Sequence, residues 1–254
     1  MGFARSSRKC FKMKKLYYDF HIHSCLSPCA DDDMTPNNIA GMAKIKGLDI
    51  VALTDHNTCG NCRSFIAAAE KQEIIGIAGM ELTTAEDIHI VCLFEELDEA
   101  MSFDSEVDTH RCLIKNRTDI FGDQFITDGD DNIVGTDEYL LSNATDLTIE
   151  DAAELVKKHN GVCFPAHIDR ESNGVVAILG SFPDEPYFKC AEFHDTDKQT
   201  EYTEKYTNLK DKVLLTSSDA HYLWDIRDKE AYFELEDEPY SSVFVRHKLF
   251  EKLR

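Results

Sequence analysis

Short apolar runs alternate with segments of helical period along most of the chain, and capping or stopping residues mark the changes. The run LYYDF at 16–20 predicts a strand. In TPNNIAGMAKIKG, Thr35 takes the N-cap position, Pro36 the first helical position and Gly47 the stop, which predicts a helix between them. LDIVALT (48–54) predicts the next strand, and 61–71, carrying Phe65, Ile66 and three alanines, the next helix. Two further strands are predicted by IIGIAGMEL (74–82) and IHIVCLF (88–94). LTIEDAAELVKKHNG opens with the capping-box spacing Thr148 to Asp151 and stops at Gly161. VCFPAHI (162–168), FKCAEFH (188–194) and KVLLTSSDAH (212–221) complete the strand set, and 240–254 predicts a closing amphipathic helix. Mostly apolar strands in β/α alternation are expected of an α/β fold whose parallel strands are covered on both faces.

Two stretches break the rhythm. Residues 1–13 are basic without an apolar core, so they are expected to form a flexible tail, with Met13 an alternative start. Residues 95–146 are acidic and predict a small hairpin around Gly129 and Asn132; they are expected to form an insertion within a single domain spanning 14–254. At about 50 residues the insertion exceeds an ordinary connection, and such loops tend to be lids or binding elements.

Composition narrows the function classes. Of 254 residues 43% are apolar, which is material for a sizeable core. The formal charge of −21 opposes adhesion to membranes and to long nucleic acid, while leaving room for a small anionic substrate held by local cations. No apolar run is long enough to span a bilayer. Nine cysteines, an odd number, without an export signal point to a reducing cytoplasm. Cys25 and Cys29 follow the first strand, Cys59 and Cys62 the second; they read as incidental thiols, with a zinc or iron–sulfur site as the alternative.

The chemistry gathers where strands end. DFHIHS places His21 and His23 two positions apart, on one side of an extended segment. Asp31 follows; Asp55 and His56 end the second strand, Glu81 the third, His167 the fifth, and Asp219 and His221 the last, while the fourth carries His89. Parallel β/α folds build sites at the carboxyl ends of strands, so these groups are expected to converge. His21, His23, Asp31, His56, Glu81, His89, His167, Asp219 and His221 are the donor types of zinc, manganese and iron sites, and their number suits two or three divalent ions. Asp55 is expected to orient a neighbour. Arg170, in HIDR, offers a planar fork for phosphate oxygens, and His194, in EFHD, a group for the leaving oxygen; both also read as ordinary surface or packed residues.

Together D-x-H-x-H-S, an Asp before T-P, L-T-D-H-N, G-x-E, the His of HIVCLF, the His of PAHIDR and S-D-A-H resemble the motifs of the PHP (polymerase and histidinol phosphatase) family, in order from about Tyr18 to His221. The resemblance implies a distorted seven-stranded β/α (TIM-like) barrel and a two- or three-metal centre. It implies His21, His23, Glu81 and Asp219 at one ion, Glu81 bridging to a second with His89 and His167, and Asp31, His56 and His221 at a third. Two departures stand out. SPCADDDMTP replaces the usual S-D-G, leaving Asp31, Asp32 and Asp33 as alternatives, and H-I-D-R replaces H-P-x-R.

The expected activity is hydrolysis of a phosphate ester by metal-activated water, two ions sharing the charge of the attacked group. The expected substrate is a small phosphorylated metabolite or nucleotide. The alternatives are an exonuclease on short oligonucleotides, which should carry basic or stacking residues beside the metals, and a metal-holding regulatory module without turnover.

Overall fold

The computed structural model describes residues 13–236 and 241–254. The expected 1–13 tail therefore lies outside the described residues, except for Met13, which opens a strand. In chain order the elements are β1 (Met13–Asp19), α1 (Pro36–Lys46), β2 (Ile50–Leu53), α2 (Cys62–Lys71), β3 (Ile75–Thr83), β4 (His89–Phe94) and α3 (Leu97–Val107). After these come α4 (Thr118–Phe121), β5 (Phe125–Thr127), β6 (Ile133–Thr136), α5 (Ile149–Lys158), β7 (Val162–Pro165) and α6 (Val175–Leu179). The remainder is β8 (Cys190–Phe193), α7 (Gln199–Lys205), β9 (Val213–Thr216), β10 (Tyr232–Glu236) and α8 (Ser242–Leu253).

The punctuation read from the sequence governs the helix ends. Thr35 accepts from the Asn38 N–H, and Gly47, at φ 76°, closes α1 with its N–H on Ala43 and Lys44 carbonyls. Glycine alone takes that backbone without penalty. Thr148 accepts from the Asp151 N–H at 3.1 Å and donates its hydroxyl to the Asp151 carboxylate at 2.8 Å. This exchange satisfies a donor that the first turn would otherwise leave unpaired.

The sheet differs from an all-parallel barrel. Its hydrogen-bonded order is β10-β1-β2-β3-β4-β7, an open six-stranded sheet, with β8 and β9 paired in parallel separately. The mixed α/β class holds; a closed seven-stranded barrel is not what the ladders form. Isolated bonds bridge the gaps: the Ile168 N–H reaches the Glu192 carbonyl at 2.9 Å, the His23 N–H the Ala220 carbonyl at 3.0 Å and the Ala220 N–H the His21 carbonyl at 3.4 Å. Strands β1, β2 and β3 are parallel, but β4 runs antiparallel to both β3 and β7. The reason is the short link at 84–88, turning at Asp87 (φ 69°), because a parallel return needs a crossover of about a dozen residues. The edge strand β10, which the apolar pattern does not announce, pairs antiparallel with β1.

Burial on both faces explains the uninterrupted apolar runs. In β2, Val51 and Leu53 pack with Ala43 of α1 and Phe65 of α2, while Ile50 and Ala52 pack with Leu249 and Phe250 of α8. The neighbouring strand β4 leaves no room at Gly79. A Cβ there would stand 2.7 Å from the Cys92 carbonyl oxygen and 2.8 Å from Leu93. Gly79→Ala is expected to cost about 2 kcal/mol of stability in urea unfolding. Gly41→Ala, inside α1 with nothing within 4 Å, should instead be neutral or stabilising.

The 95–146 stretch holds α3, whose Ala100, Phe103 and Val107 join the core, then α4 and the β5–β6 hairpin. Asn61 and Ser64 of the α2 start bind the hairpin backbone at Phe125 and Thr127. The Asp131 carboxylate accepts from the Thr35 hydroxyl at 2.6 Å and from the Asn37 N–H at 3.2 Å, beside the positive end of α1.

Candidate metal centre

β1 ends at Asp19, and the chain continues extended so that the His21 and His23 rings, 5.2 Å apart, point inward with no solvent exposure. Glu81 comes from near the end of β3 and His89 from the start of β4; the antiparallel turn returns β4 to the same rim. His167 follows β7, and Asp219 and His221 follow β9. Two of these positions hold a left-handed backbone, His167 at φ 28° and Asp219 at φ 53°. Such conformations cost roughly 1–3 kcal/mol each and persist where surrounding contacts fix them.

Glu81 is the hub. Its carboxylate, 1% exposed, lies 3.2 Å from His21 Nε2, 3.3 Å from His23 Nε2 and 3.0 Å from His56 Nδ1. The same carboxylate is 2.8 Å from His89 Nδ1 and 3.1 Å from His167 Nε2. Asp219 Oδ1 adds contacts of 3.3 Å to His21 Nε2 and 3.1 Å to His23 Nε2. Among the described residues, three groups bring their donor atoms within 4.8 Å of one another: His21, His23, Glu81 and Asp219; His56, Glu81 and His89; and His23, His56 and His221. His167 touches Glu81 but belongs to none of these groups. Asp31, Asp32 and Asp33 are exposed and also outside them, and the Asp31 carboxylate caps the Asp33 N–H at 2.9 Å.

A surrounding layer orients the rings. His21 Nδ1 donates to Glu192 at 2.8 Å, and His23 Nδ1 to the Ser27 hydroxyl at 2.9 Å, which in turn donates to Asp55 at 2.7 Å. His221 Nδ1 donates to the Asp219 carbonyl at 2.9 Å. Each bond fixes a tautomer and leaves Nε2 with its lone pair turned inward. Asp55 thus acts on His23 through Ser27, in line with the orienting part expected of it. Glu192 was missed by sequence reasoning. Its signal was a charged residue inside the apolar strand run FKCAEFH, 1% exposed once folded.

The charge balance calls for cations. The Nε2 atoms of His21 and His23 stand 3.2 Å apart. His56 Nδ1 and Glu81 Oε2 are both buried and lack a hydrogen-bond partner although 3.0 Å apart. Facing lone pairs and buried carboxylate oxygens in low dielectric need either protons or metal ions between them. With protons alone, burial opposes a charged His23, yet the hydrogen bonds it donates to Asp219 and Glu81 win and push its pKa to about 9. Burial likewise opposes a charged His56, and the Glu81 field overrides it, again to about 9. His21 is raised well above its ordinary value because Glu81, Glu192 and Asp219 outweigh its burial. For Glu81, burial would raise the pKa, but His89, His21 and His56 hold it well below the carboxylate range. The donor set therefore fits divalent ions.

Beside this cluster Arg170, half exposed, donates to Asp219 Oδ2 and, at 3.1 Å, to His194 Nδ1. Burial first, then the Arg170 and Arg227 charges, lower the His194 pKa. The four cysteines behind the first two strands do not form one donor group among the described residues. Cys25 turns to the Phe125 carbonyl, and Cys59 and Cys62 both turn to the Gly79 carbonyl at 3.3 Å.

The PHP domain family model matches residues 19–126. No curated protein matches the sequence. Among solved structures, a lesion-specific endonuclease from Pyrococcus furiosus aligns with a TM-score of 0.63 at 18% identity, covering 94% of this chain and 56% of that one. The chain thus spans little more than half the length of that relative. An endonuclease Q complex with a 27-mer duplex carrying an abasic lesion at its active site aligns at 0.58 and 18%, over 83% of this chain and 50% of that one. A protein assigned as a metal-dependent phosphoesterase from Bifidobacterium adolescentis aligns at 0.56 and 16%, over 96% of this chain and 99% of that one. At these identities the likeness is one of fold. Among the described residues, no helix is long and apolar enough to cross a membrane.

Proposed function

We propose, for a chain whose residues 19–126 match the PHP domain model, the function of a divalent-metal-dependent phosphoesterase acting on a small phosphorylated metabolite or nucleotide. The observation that carries the reading is Glu81, a buried carboxylate within 3.3 Å of five imidazoles. His21, His23, Glu81 and Asp219 would hold one ion; His56, Glu81 and His89, with His167 alongside, a second; His23, His56 and His221 a third. Ions bound there supply Lewis-acid charge and lower the pKa of water, which suits manganese, iron or zinc.

The protein's own groups position the ester. Arg170 presents guanidinium N–H donors at the rim, and Asp219 and His194 fix the direction of its fork. His194, neutral near pH 7 because its pKa is lowered, suits a hydrogen bond to the leaving oxygen better than a stored proton. Arg170→Ala is expected to raise KM about tenfold with metal content unchanged. An unaltered KM would remove Arg170 from substrate binding.

A second reading, cleavage of nucleic acid, is favoured by one observation. Tyr222 and Trp224, directly after His221, are 51% and 80% exposed, as a base-stacking surface requires. The duplex-bound endonuclease of similar fold supports the same reading, and the −21 charge weighs against it. Phosphate release from a panel of phosphomonoesters, beside cleavage of labelled oligonucleotides, after removal and return of Mn, Fe or Zn, separates the two. No turnover of either class with any of these metals would overturn both.

A further inference from the structure

We propose that Glu192 is a positioning residue that couples two ion sites, aligning His21 and His167 through a single carboxylate oxygen. The inference deepens the metal-centre reading and rests on it. An orienting acid ordinarily serves one imidazole. This one serves His21, which belongs to one donor group built on Glu81, and His167, which stands beside the other.

Glu192 Oε1 accepts from His21 Nδ1 at 2.8 Å and from the His167 backbone N–H at 3.2 Å. The following N–H, that of Ile168, reaches the Glu192 carbonyl at 2.9 Å. Side chain and main chain of one residue thus hold two successive amides, and with them the His167 backbone at φ 28°. No ladder joins β8, which carries Glu192, to β7, so these bonds set the two strand ends against each other. On the inner side both rings meet one oxygen: Glu81 Oε1 lies 3.2 Å from His21 Nε2 and 3.1 Å from His167 Nε2. The rings stack 5.9 Å apart at 22° between these two carboxylates. The neighbouring Ala166 N–H donates to the His89 carbonyl at 3.0 Å, which ties a further ligand to the same stretch.

Glu192 is 1% exposed, and its Oε2 has no hydrogen-bond partner, so its side chain is committed to these two histidines. A carboxylate buried this way is costly without positive charge nearby. An ion at His21 Nε2 draws electron density from the ring and polarises the Nδ1–H bond toward Glu192, which offsets that cost. Ion and carboxylate then strengthen each other, and the oxygen shared with His167 carries the effect to the second site.

Manganese(II) alone is the probe, titrated calorimetrically into metal-free protein. Glu192→Gln keeps the shape and an acceptor oxygen but removes the charge. It is expected to weaken two ions together, each by about tenfold or more. A second measurement needs no variant: in metal-free wild type the His21 Nδ1 proton should give a far-downfield, slowly exchanging nuclear magnetic resonance signal. In Glu192→Gln that signal should move upfield while those of the other histidines stay. Weakening of one ion alone overturns the coupling. Unchanged affinities, or a wild type without the downfield signal, overturn the positioning role and leave the rest of the centre standing. Wild-type protein that binds no manganese overturns the metal-centre reading along with it.

Discussion

Glu81→Gln is expected to reduce turnover by about a thousandfold or more, equivalent to roughly 4 kcal/mol of transition-state stabilisation, and to strip the protein of most of its divalent metal. The change is isosteric, so packing around this 1%-exposed side chain survives. What disappears is the negative charge that faces His21, His23, His56, His89 and His167 at once. An amide can present its oxygen to one ion, but it cannot neutralise two and bridge them. Elemental analysis beside phosphate-release kinetics checks this. Full metal content with undiminished hydrolysis in Glu81→Gln would end the case for the centre. Asp219→Ala is expected to act in the same direction but less completely, since Asp219 shares one donor group with Glu81 and is absent from the other.

Freed of metal, the protein is expected to lose stability as pH rises from about 6.5 to about 9. In that state protons take the place of cations, and His23 and His56 have folded pKa values of about 9 against an ordinary 6.5. A group with a raised folded pKa stabilises fully below its unfolded value, and that stabilisation is gone once pH passes the folded one. At 1.36 kcal/mol per unit, one such group contributes about 3 kcal/mol. His21 shifts in the same direction. His89 and His221, both lowered, are neutral in the folded and unfolded states above pH 6.5 and add little slope there. Glu81 and Asp219, also lowered, change the balance only in acid. Melting curves of chelated protein across this range, repeated after Mn(II) is returned, read the effect. A melting temperature that stays level for the chelated protein would show that the buried imidazoles do not titrate as paired cations. With metal bound, the ions replace the protons and the slope should flatten, because binding then releases protons and tightens as pH rises.

Much of the frame was legible in the chain. Thr35, Pro36 and Gly47 bound α1, and Thr148 with Asp151 starts α5, because caps are local chemistry that a few neighbouring residues settle. The histidines and acids at strand ends were legible too, since a strand end fixes where its next side chains are delivered. The direction of β4 was misread from its apolar character, although the five residues linking it to β3 already forbade a parallel return. Asp31 was a choice among three loop acids with no periodicity to separate them, and all three face solvent.

By itself the sequence determined the caps of α1 and α5, the two-sided burial of the strands and most of the side chains that gather around Glu81. All of these depend on separations of a few positions, where backbone geometry leaves little freedom. Only the tertiary structure decided which of those residues meet. It set Glu81 against five rings and placed Glu192 behind His21. Those choices join residues up to about two hundred positions apart, and they depend on loop paths and strand directions that no local pattern encodes.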